Sequence, residues 1–204
     1  MPEHKHSLNF LFNPFKSLSQ KLTLLIGVAV ILLSGVLNSL SDTHFDGILD
    51  IHTGLPTASW FHLAEGFINI MIITLLLFVL DKLILKSPGK LGNLFSQQAL
   101  ARWPYLIVSI GMLKLAEPFH RYEQYFRYQN GITSSSMELS IGNEIIFYFS
   151  VALMLLITVW YIYLSYRSFS IYVKASGWKI ITLYSAGLIV AEVLSKIVFI
   201  SLIK

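Results

Sequence analysis

The sequence predicts an all-α protein, a polytopic membrane bundle of five transmembrane helices with its N-terminus inside and its C-terminus outside. Three observations support this class. Of the 204 residues, 55% are hydrophobic and only 13% are charged, whereas soluble domains carry about 25% charged residues. Apolar runs near 20 residues, the length of a helix that crosses a bilayer, recur along the chain. Basic residues collect in alternate connections between those runs, which is typical of membrane topology.

The apolar runs define five spans within a single membrane domain, residues 21–204. Each span is expected to be helical, because lipid leaves a single segment no other way to satisfy its backbone hydrogen bonds. The third run, WPYLIVSIGMLKLAEPF, is short and contains Lys114 and Glu117, and a four-span alternative makes it re-entrant. In chain order the spans are residues 21–40, 60–85, 103–119, 141–165 and 180–203.

Charge bias orients these spans. The connection between the first two spans has no Lys or Arg, and the one between the third and fourth has only Arg121 and Arg127. By the positive-inside rule those connections lie outside. The basic residues assigned to the inner side are Lys5, Lys16, Lys21, Lys82, Lys86, Lys90, Arg102, Arg167, Lys174 and Lys179.

Residues 1–20 are predicted to form a cytoplasmic segment. In LNFLFNPFKSLSQK, the side chains of Phe10, Phe12, Phe15 and Leu18 are spread among polar residues. That pattern fits an interfacial amphipathic helix, and it equally fits an ordinary flank of the first span.

Several classes of chemistry are excluded at this level. The chain has no cysteine, so it has neither a disulfide framework nor a thiolate metal site. The basic residues are scattered between apolar runs, which argues against nucleic acid as a partner. No glycine-rich phosphate loop, His-Glu-x-x-His or serine elbow occurs. The sequence therefore names no catalytic residue, and an enzyme is the less favoured interpretation.

Acidic and histidine side chains collect at the predicted outer side, above all in THFDGILDIHTGLPTASWFHLAEGF, residues 43–67. His62 and Glu65 are three residues apart, as are Glu117 and His120, so each pair can share a helix face. Packed helices with glutamate and histidine at this spacing hold carboxylate-bridged metals. The candidate ligands, for a divalent metal such as zinc or iron, are Asp46, Asp50, His52, His62, Glu65, Glu117, His120 and Glu144.

A second interpretation makes the same residues a solvated or hydrogen-bonded polar rim. Polar side chains are expected wherever a span meets water. Pro118 follows Glu117 directly and disfavours helical geometry at that residue, so Glu117 and His120 need not share a face.

Charged side chains also lie deeper in the third and fifth spans. Lys114 and Glu117 stand at about the depth of Glu192 and Lys196 when each span is counted from its inner end at about 1.5 Å per residue. An unpaired charge near mid-membrane costs about 3 kcal/mol. These residues are therefore predicted to form intramembrane ion pairs that join the two helices. A proton or ion pathway and contact with lipid headgroups are the alternatives.

One short motif precedes the first span. It is LFNPFKSL, with NPFK at residues 13–16, and FDGILDIH follows at residues 45–52. With five spans, a cytoplasmic N-terminus and little soluble mass, the chain resembles the Yip family of Ypt/Rab-interacting integral membrane proteins, in its bacterial branch. Eukaryotic members have a long cytoplasmic N-terminal region that does not occur in this sequence. The resemblance implies a small membrane subunit, of the kind that can stand beside a transport system, and it supplies no catalytic residue.

Two hypotheses for function follow. The first is a Yip-like, non-enzymatic assembly, trafficking or transporter-accessory subunit in the bacterial cytoplasmic (inner) membrane. Its partners would be the lipid bilayer and a membrane protein or a second copy of the chain. The second is a metal-dependent membrane enzyme, or an ion or proton translocator, that uses the outer acid and histidine cluster.

Overall fold

The computed structural model describes residues 11–54, 57–131 and 140–203, and almost all of them are helical. Two short strands, β1 (Thr43–His44) and β2 (His52–Thr53), interrupt the helices. The helices are α1 (Gln20–Ser41), α2 (Ser59–Leu80), α3 (Leu91–Ala101), α4 (Trp103–Gln129), α5 (Ile141–Val173) and α6 (Trp178–Ile203).

Five helical stretches are long and apolar enough to cross a membrane, which confirms the predicted all-α polytopic bundle. They are Gln20–Ser41, Ser59–Leu85, Leu91–Gln129, Ile141–Val173 and Trp178–Leu202. The sidedness of the membrane stays a prediction, so the two ends of the bundle are named by their contents. The loop end holds residues 42–54, and the turn end holds residues 86–90.

Local chemistry sets where the helices begin and end. The side chains of Ser19 and Ser140 cap α1 and α5 by accepting hydrogen bonds from backbone N–H groups in the first turn. The residues after α1 and α5, Asp42 and Lys174, have left-handed backbones with φ of 46° and 54°, which stops the helix at that point. The last turn of the second span is a π-helix, Asp81–Leu85.

The third span differs most from its predicted bounds. It begins at Leu91, twelve residues before the predicted start at 103, because glutamine and arginine lower the hydropathy of that stretch without facing lipid. Gln98 is fully buried and donates hydrogen bonds to the Ser165 carbonyl and the Ser168 hydroxyl, at 3.1 and 2.8 Å. Helix α4 then runs through Pro118 as far as Gln129. A re-entrant third segment is therefore excluded, and Pro118 does not end the helix.

Glycines let α1 lie close to its neighbours. A Cβ on Gly27 would come within 2.7 Å of the Leu100 backbone, and one on Gly35 within 2.7 Å of the Leu63 side chain. Small residues at such contacts are typical of membrane helix pairs. The largest buried cluster of hydrophobic side chains contains Tyr105, Tyr161, Phe169 and Tyr184, from α4, α5 and α6.

The α4–α5 hairpin extends past the end of α1 at the loop end. Gly27 lies beside Ala99 and Leu100, so the end of α1 stands level with about residue 114 of α4. The remaining 15 or so residues, up to Gln129, extend about 22 Å further at 1.5 Å per residue. Helix α5 begins at Ile141 and runs beside this extension. We call residues 115–129 and 141–151 the projecting hairpin.

The N-terminal segment was predicted to be either an interfacial helix or a flank of the first span, and its residues 1–10, including Phe10, lie outside the described residues. The described part contains a 3-10 turn at Pro14–Lys16. Phe15 in that turn is buried in a cluster with Leu100 and Leu164, and the ring of Phe12 lies 5.9 Å from that of Trp160.

Candidate functional site

Residues 42–54, between α1 and α2, fold into the bundle, and we call them the inserted segment. Strands β1 and β2 pair antiparallel with His44 opposite His52. The turn between the strands enters the interior, so that Phe45 and Ile48 are buried at 3% and 0% exposure. A connection that the sequence predicted to lie at the outer surface thus supplies part of the core.

The inserted segment reaches well below the loop end. The carbonyl of Gly47 accepts a hydrogen bond from Asn69, which lies about 15 Å along α2 from Ser59 at 1.5 Å per residue. Non-helical backbone at such depth is tolerated only where protein groups satisfy its hydrogen bonds. Polar side chains must therefore surround this segment.

Polar side chains from three helices supply those bonds. Glu65 Oε2 accepts from the Phe45 N–H at 3.0 Å. The Asn69 side-chain amide donates to the carbonyls of Phe45 and Gly47, at 2.5 and 3.0 Å. These two residues of α2 bind the descending half of the segment.

The other half of the segment is bound by α4 and α6. The Tyr105 hydroxyl donates to the Ile48 carbonyl at 3.2 Å. Glu192 Oε2 accepts from the Leu49 N–H at 2.8 Å. Lys196 then donates to the Asp50 carboxylate at 2.6 Å.

A buried group of three side chains lies where the segment meets α2. His44 Nδ1 is 2.7 Å from Glu65 Oε1, and His62 Nδ1 is 3.8 Å from Glu65 Oε2. The two imidazole rings lie 4.5 Å apart between centroids. One nitrogen or oxygen from each residue falls within 4.8 Å of the others, as metal ligands do. We call His44, His62 and Glu65 the buried triad.

A second, half-buried triad lies beside the first and consists of Asp46, Asp50 and His52. His52 Nδ1 is 3.5 Å from Asp46 Oδ1, which is within ion-pair range but without hydrogen-bond alignment. Burial raises the pKa of the Asp46 carboxyl, an effect that His52 opposes and Asp50 reinforces. The ring of His52 stacks on that of His44 at 5.5 Å, so the two triads are adjacent.

The predicted metal ligands therefore fall into three sets. His62 and Glu65 belong to the buried triad, and Asp46, Asp50 and His52 form the other triad. The remaining predicted ligands belong to neither triad and lie exposed on α4 and α5. Those exposed residues are Glu117, His120 and Glu144.

The predicted ion pairs between the third and fifth spans do not form. Glu117 bonds Arg121 one turn along its own helix, at 2.5 Å. Lys114 is exposed and has no ion pair within the described part of the chain. Lys196 lies 4.0 Å from Glu192 and pairs with Asp50. The charged residues of the fifth span thus bond the inserted segment, where a contact with the third span was predicted.

Arg102 was missed, because the sequence places it in a connection on the inner side. It lies about 17 Å into the third span from Leu91 and is only 3% exposed. Its guanidinium stands 5.4 Å from the ring centres of both Phe45 and Tyr105. Both terminal nitrogens are buried without a hydrogen-bond partner among the described residues. In the sequence, Arg102 stands just before an apolar run. The local sequence does not show whether such a residue lies at the end of a span or near its middle.

The fold and the site define a polytopic helical membrane protein whose polar side chains hold an inserted segment at one end. Comparison with protein-family models, with curated proteins and with solved structures found no match to this chain. The resemblance to the Yip family therefore stays a prediction.

Proposed function

We propose that this chain is a Yip-like, non-enzymatic membrane subunit that acts in assembly, trafficking or transport by binding another membrane protein. The projecting hairpin carries this proposal. It is a helical pair that extends about 22 Å past the end of α1, where a partner can reach it.

The chemistry of the hairpin suits a position in water or among headgroups. Two ion pairs lie along its α4 face, Glu117–Arg121 and Glu123–Arg127, at 2.5 and 2.8 Å. Hydrocarbon disfavours such charges strongly. The rings of Tyr122 and Phe147 stack at 3.8 Å and hold the two helices together.

The hairpin also exposes large apolar side chains. Helix α5 has 33 residues, more than the roughly 20 that cross hydrocarbon, so its first turns can lie outside the bilayer. Exposed apolar patches outside the bilayer are typical of sites that bind other proteins. At the base of the hairpin, a cleft of about 380 Å³ separates it from the inserted segment, with Ile51, Thr53, Phe119 and Phe126 among its walls. The exposed apolar residues include Phe126, Ile141, Ile145, Tyr148 and Phe149.

The polar residues of the interior also favour a non-enzymatic role. Glu65, Asn69 and Glu192 each bond the backbone of the inserted segment. Side chains that bond the backbone in this way stabilise the fold, so their presence in the interior is explained without a catalytic role.

The test compares two double variants of α5. Ile145→Ala with Phe149→Ala removes apolar surface from the hairpin, and Leu156→Ala with Val159→Ala removes similarly exposed side chains from the body of the bundle. Membranes are solubilised gently, and the mass of each complex is measured by light scattering after size exclusion. We expect wild type and the control to elute as a complex and the hairpin variant as a single chain. Elution of the wild type as a single chain, or an equal effect of both variants, would contradict the proposal.

Ion or proton translocation is the second candidate, and the buried Arg102 favours it. Charged residues inside membrane bundles commonly line ion or proton pathways. The half-buried Glu192 and the exposed Lys196 both bind the inserted segment, whose Phe45 ring lies beside Arg102. Reconstituted vesicles with a pH-sensitive dye would give proton flux that falls in Arg102→Met. Flux equal to that of empty vesicles would exclude this candidate.

A further inference from the structure

Glu65 is a buried carboxylate whose charge has no permanent cation beside it. Its side chain is 0% exposed, and within the described ranges no Lys or Arg lies within 4.0 Å of it. Its neighbours are two histidines and one backbone N–H. A buried carboxylate is costly unless a cation or several hydrogen bonds compensate it. The site is therefore suited to a positive charge from outside the chain.

We propose that the buried triad of His44, His62 and Glu65 binds one divalent transition metal ion of the zinc or iron kind. Two imidazoles and one carboxylate are a ligand set found in zinc sites and in non-haem iron sites. With metal–ligand bonds of about 2.0 to 2.2 Å, tetrahedral ligands lie about 3.4 Å apart. The distances from Glu65 to the two histidines, 2.7 and 3.8 Å, bracket that separation.

Surrounding groups already orient the ligands. His62 Nε2 lies 3.2 Å from the Thr57 hydroxyl, which would orient the ring, whereas His62 Nδ1, now 3.0 Å from the Thr43 carbonyl, would exchange that contact for the ion. The Phe45 N–H fixes one carboxylate oxygen of Glu65. Metal-binding histidines and carboxylates are commonly held by such outer contacts, which contribute to metal affinity.

The half-buried triad gives the ion a route from solvent. Asp46 and His52 are partly exposed, and the His52 ring contacts the ring of His44. A divalent ion that first meets Asp46, Asp50 and His52 would thus be one ring contact away from the buried ligands. An entry path of this kind is required of any buried metal site.

Binding would also stabilise the inserted segment. His44 comes from the segment, whereas His62 and Glu65 come from α2. An ion bound by all three would join them, and it would stabilise the folded state in proportion to the logarithm of its concentration. The proposal therefore has a readout that does not depend on any activity.

The experiment uses full-length protein purified without chelator or metal-affinity tag. Metal content is measured by mass spectrometry of the elements, and thermal unfolding is followed after chelator treatment and again with added zinc chloride. We expect about one metal ion per chain and a higher Tm with zinc in the wild type. His44→Gln and His62→Gln should each lose at least tenfold in zinc affinity. His120→Gln, which changes an exposed histidine of the hairpin, is the matched control and should behave as wild type.

Two further measurements keep the test decisive if the buried variants fold poorly. Cobalt(II) added to the wild type should give the visible absorption of a nitrogen- and oxygen-ligated ion. His52→Gln changes the entry route and not the buried ligands, so it should take up zinc more slowly but reach the same stoichiometry. Loss of zinc in His52→Gln with retention in His44→Gln would move the site to the other triad and overturn the proposal. A folded wild type with no metal, no zinc-dependent Tm shift and no cobalt spectrum would also overturn it.

Discussion

The second span, Ser59–Leu85, carries two fully buried carboxylates, Glu65 near the loop end and Asp81 at the turn end, and their surroundings differ. Asp81 has a lysine beside it, since Lys82 Nζ lies 3.4 Å from its carboxylate. The Ser87 hydroxyl and the Tyr172 hydroxyl donate to the same group, at 2.7 and 3.2 Å. Its charge and its hydrogen bonds are therefore satisfied, mostly by residues close in sequence.

Glu65 is held by different chemistry. Its partners are histidines and the inserted segment, and the nearest of them, His44, comes from 21 residues away. Glu65 and Asp81 are equally buried, but their contacts give them different roles. Asp81 ends a helix and anchors a turn, whereas Glu65 joins two parts of the chain and can accept an ion. Four variants test this difference between Glu65 and Asp81, and their expected effects decrease in the order given.

Glu65→Ala should have the largest effect, with a loss of about 3–5 kcal/mol in the free energy of unfolding. It leaves the Phe45 N–H and His44 without their buried partner, and breaking a buried charged contact has costs of that size. Unfolding in detergent, followed by tryptophan fluorescence, measures the change. A loss below about 1 kcal/mol would mean that Glu65 does not hold the segment.

Asp81→Ala should cost less, about 2 kcal/mol, because Lys82 keeps its hydrogen bonds to the carbonyls of Ser87 and Gly89. Its response to zinc sharpens the comparison. Zinc should raise the Tm of Asp81→Ala as much as that of the wild type, and it should leave Glu65→Ala unchanged. Calorimetric scans with and without zinc measure this difference. If the metal bound at the turn end, zinc would raise the Tm of Glu65→Ala and leave that of Asp81→Ala unchanged.

Gly47→Ala tests whether the tip of the segment needs its close approach to α6. A Cβ at this position would lie 2.3 Å from Glu192 Oε1, and that carboxylate is held by the Leu49 N–H. The displacement should cost about 1–2 kcal/mol. Gly92→Ala is the control, because a Cβ there meets nothing within 4 Å. Chemical denaturation curves that coincide for the two variants would argue against a fixed tip.

Lys196→Met should have the smallest effect, below about 1 kcal/mol, because its pair with Asp50 is partly exposed. The rate of protease cleavage in the inserted segment is a more sensitive measure than Tm, because Lys196 binds the segment locally, at Asp50. We expect faster cleavage near residue 50 with nearly unchanged global stability. A loss as large as that of Glu65→Ala would make the two ends of the segment equally important.

Part of this arrangement could be predicted from the sequence and part could not. The spans came from apolar length, and the stretch 43–67 was correctly selected as unusual because charge is rare in such a chain. The grouping of its residues was missed, because the segment folds back into the bundle and places His44 against Glu65. Glu117 and Glu144 were predicted to belong to the same cluster of ligands, yet the length of α4 and α5 carries them onto the hairpin.

The sequence by itself determined the all-α membrane class, the five spans and the residues that needed a polar environment, because hydropathy and helix length are properties of local sequence. Only the tertiary structure decided which of those residues meet. Backbone that is buried without a helix must find its hydrogen bonds in side chains from elsewhere, and Asn69, Tyr105 and Glu192 supply them. Those partners are set by helix register and depth, which no single stretch of the sequence contains.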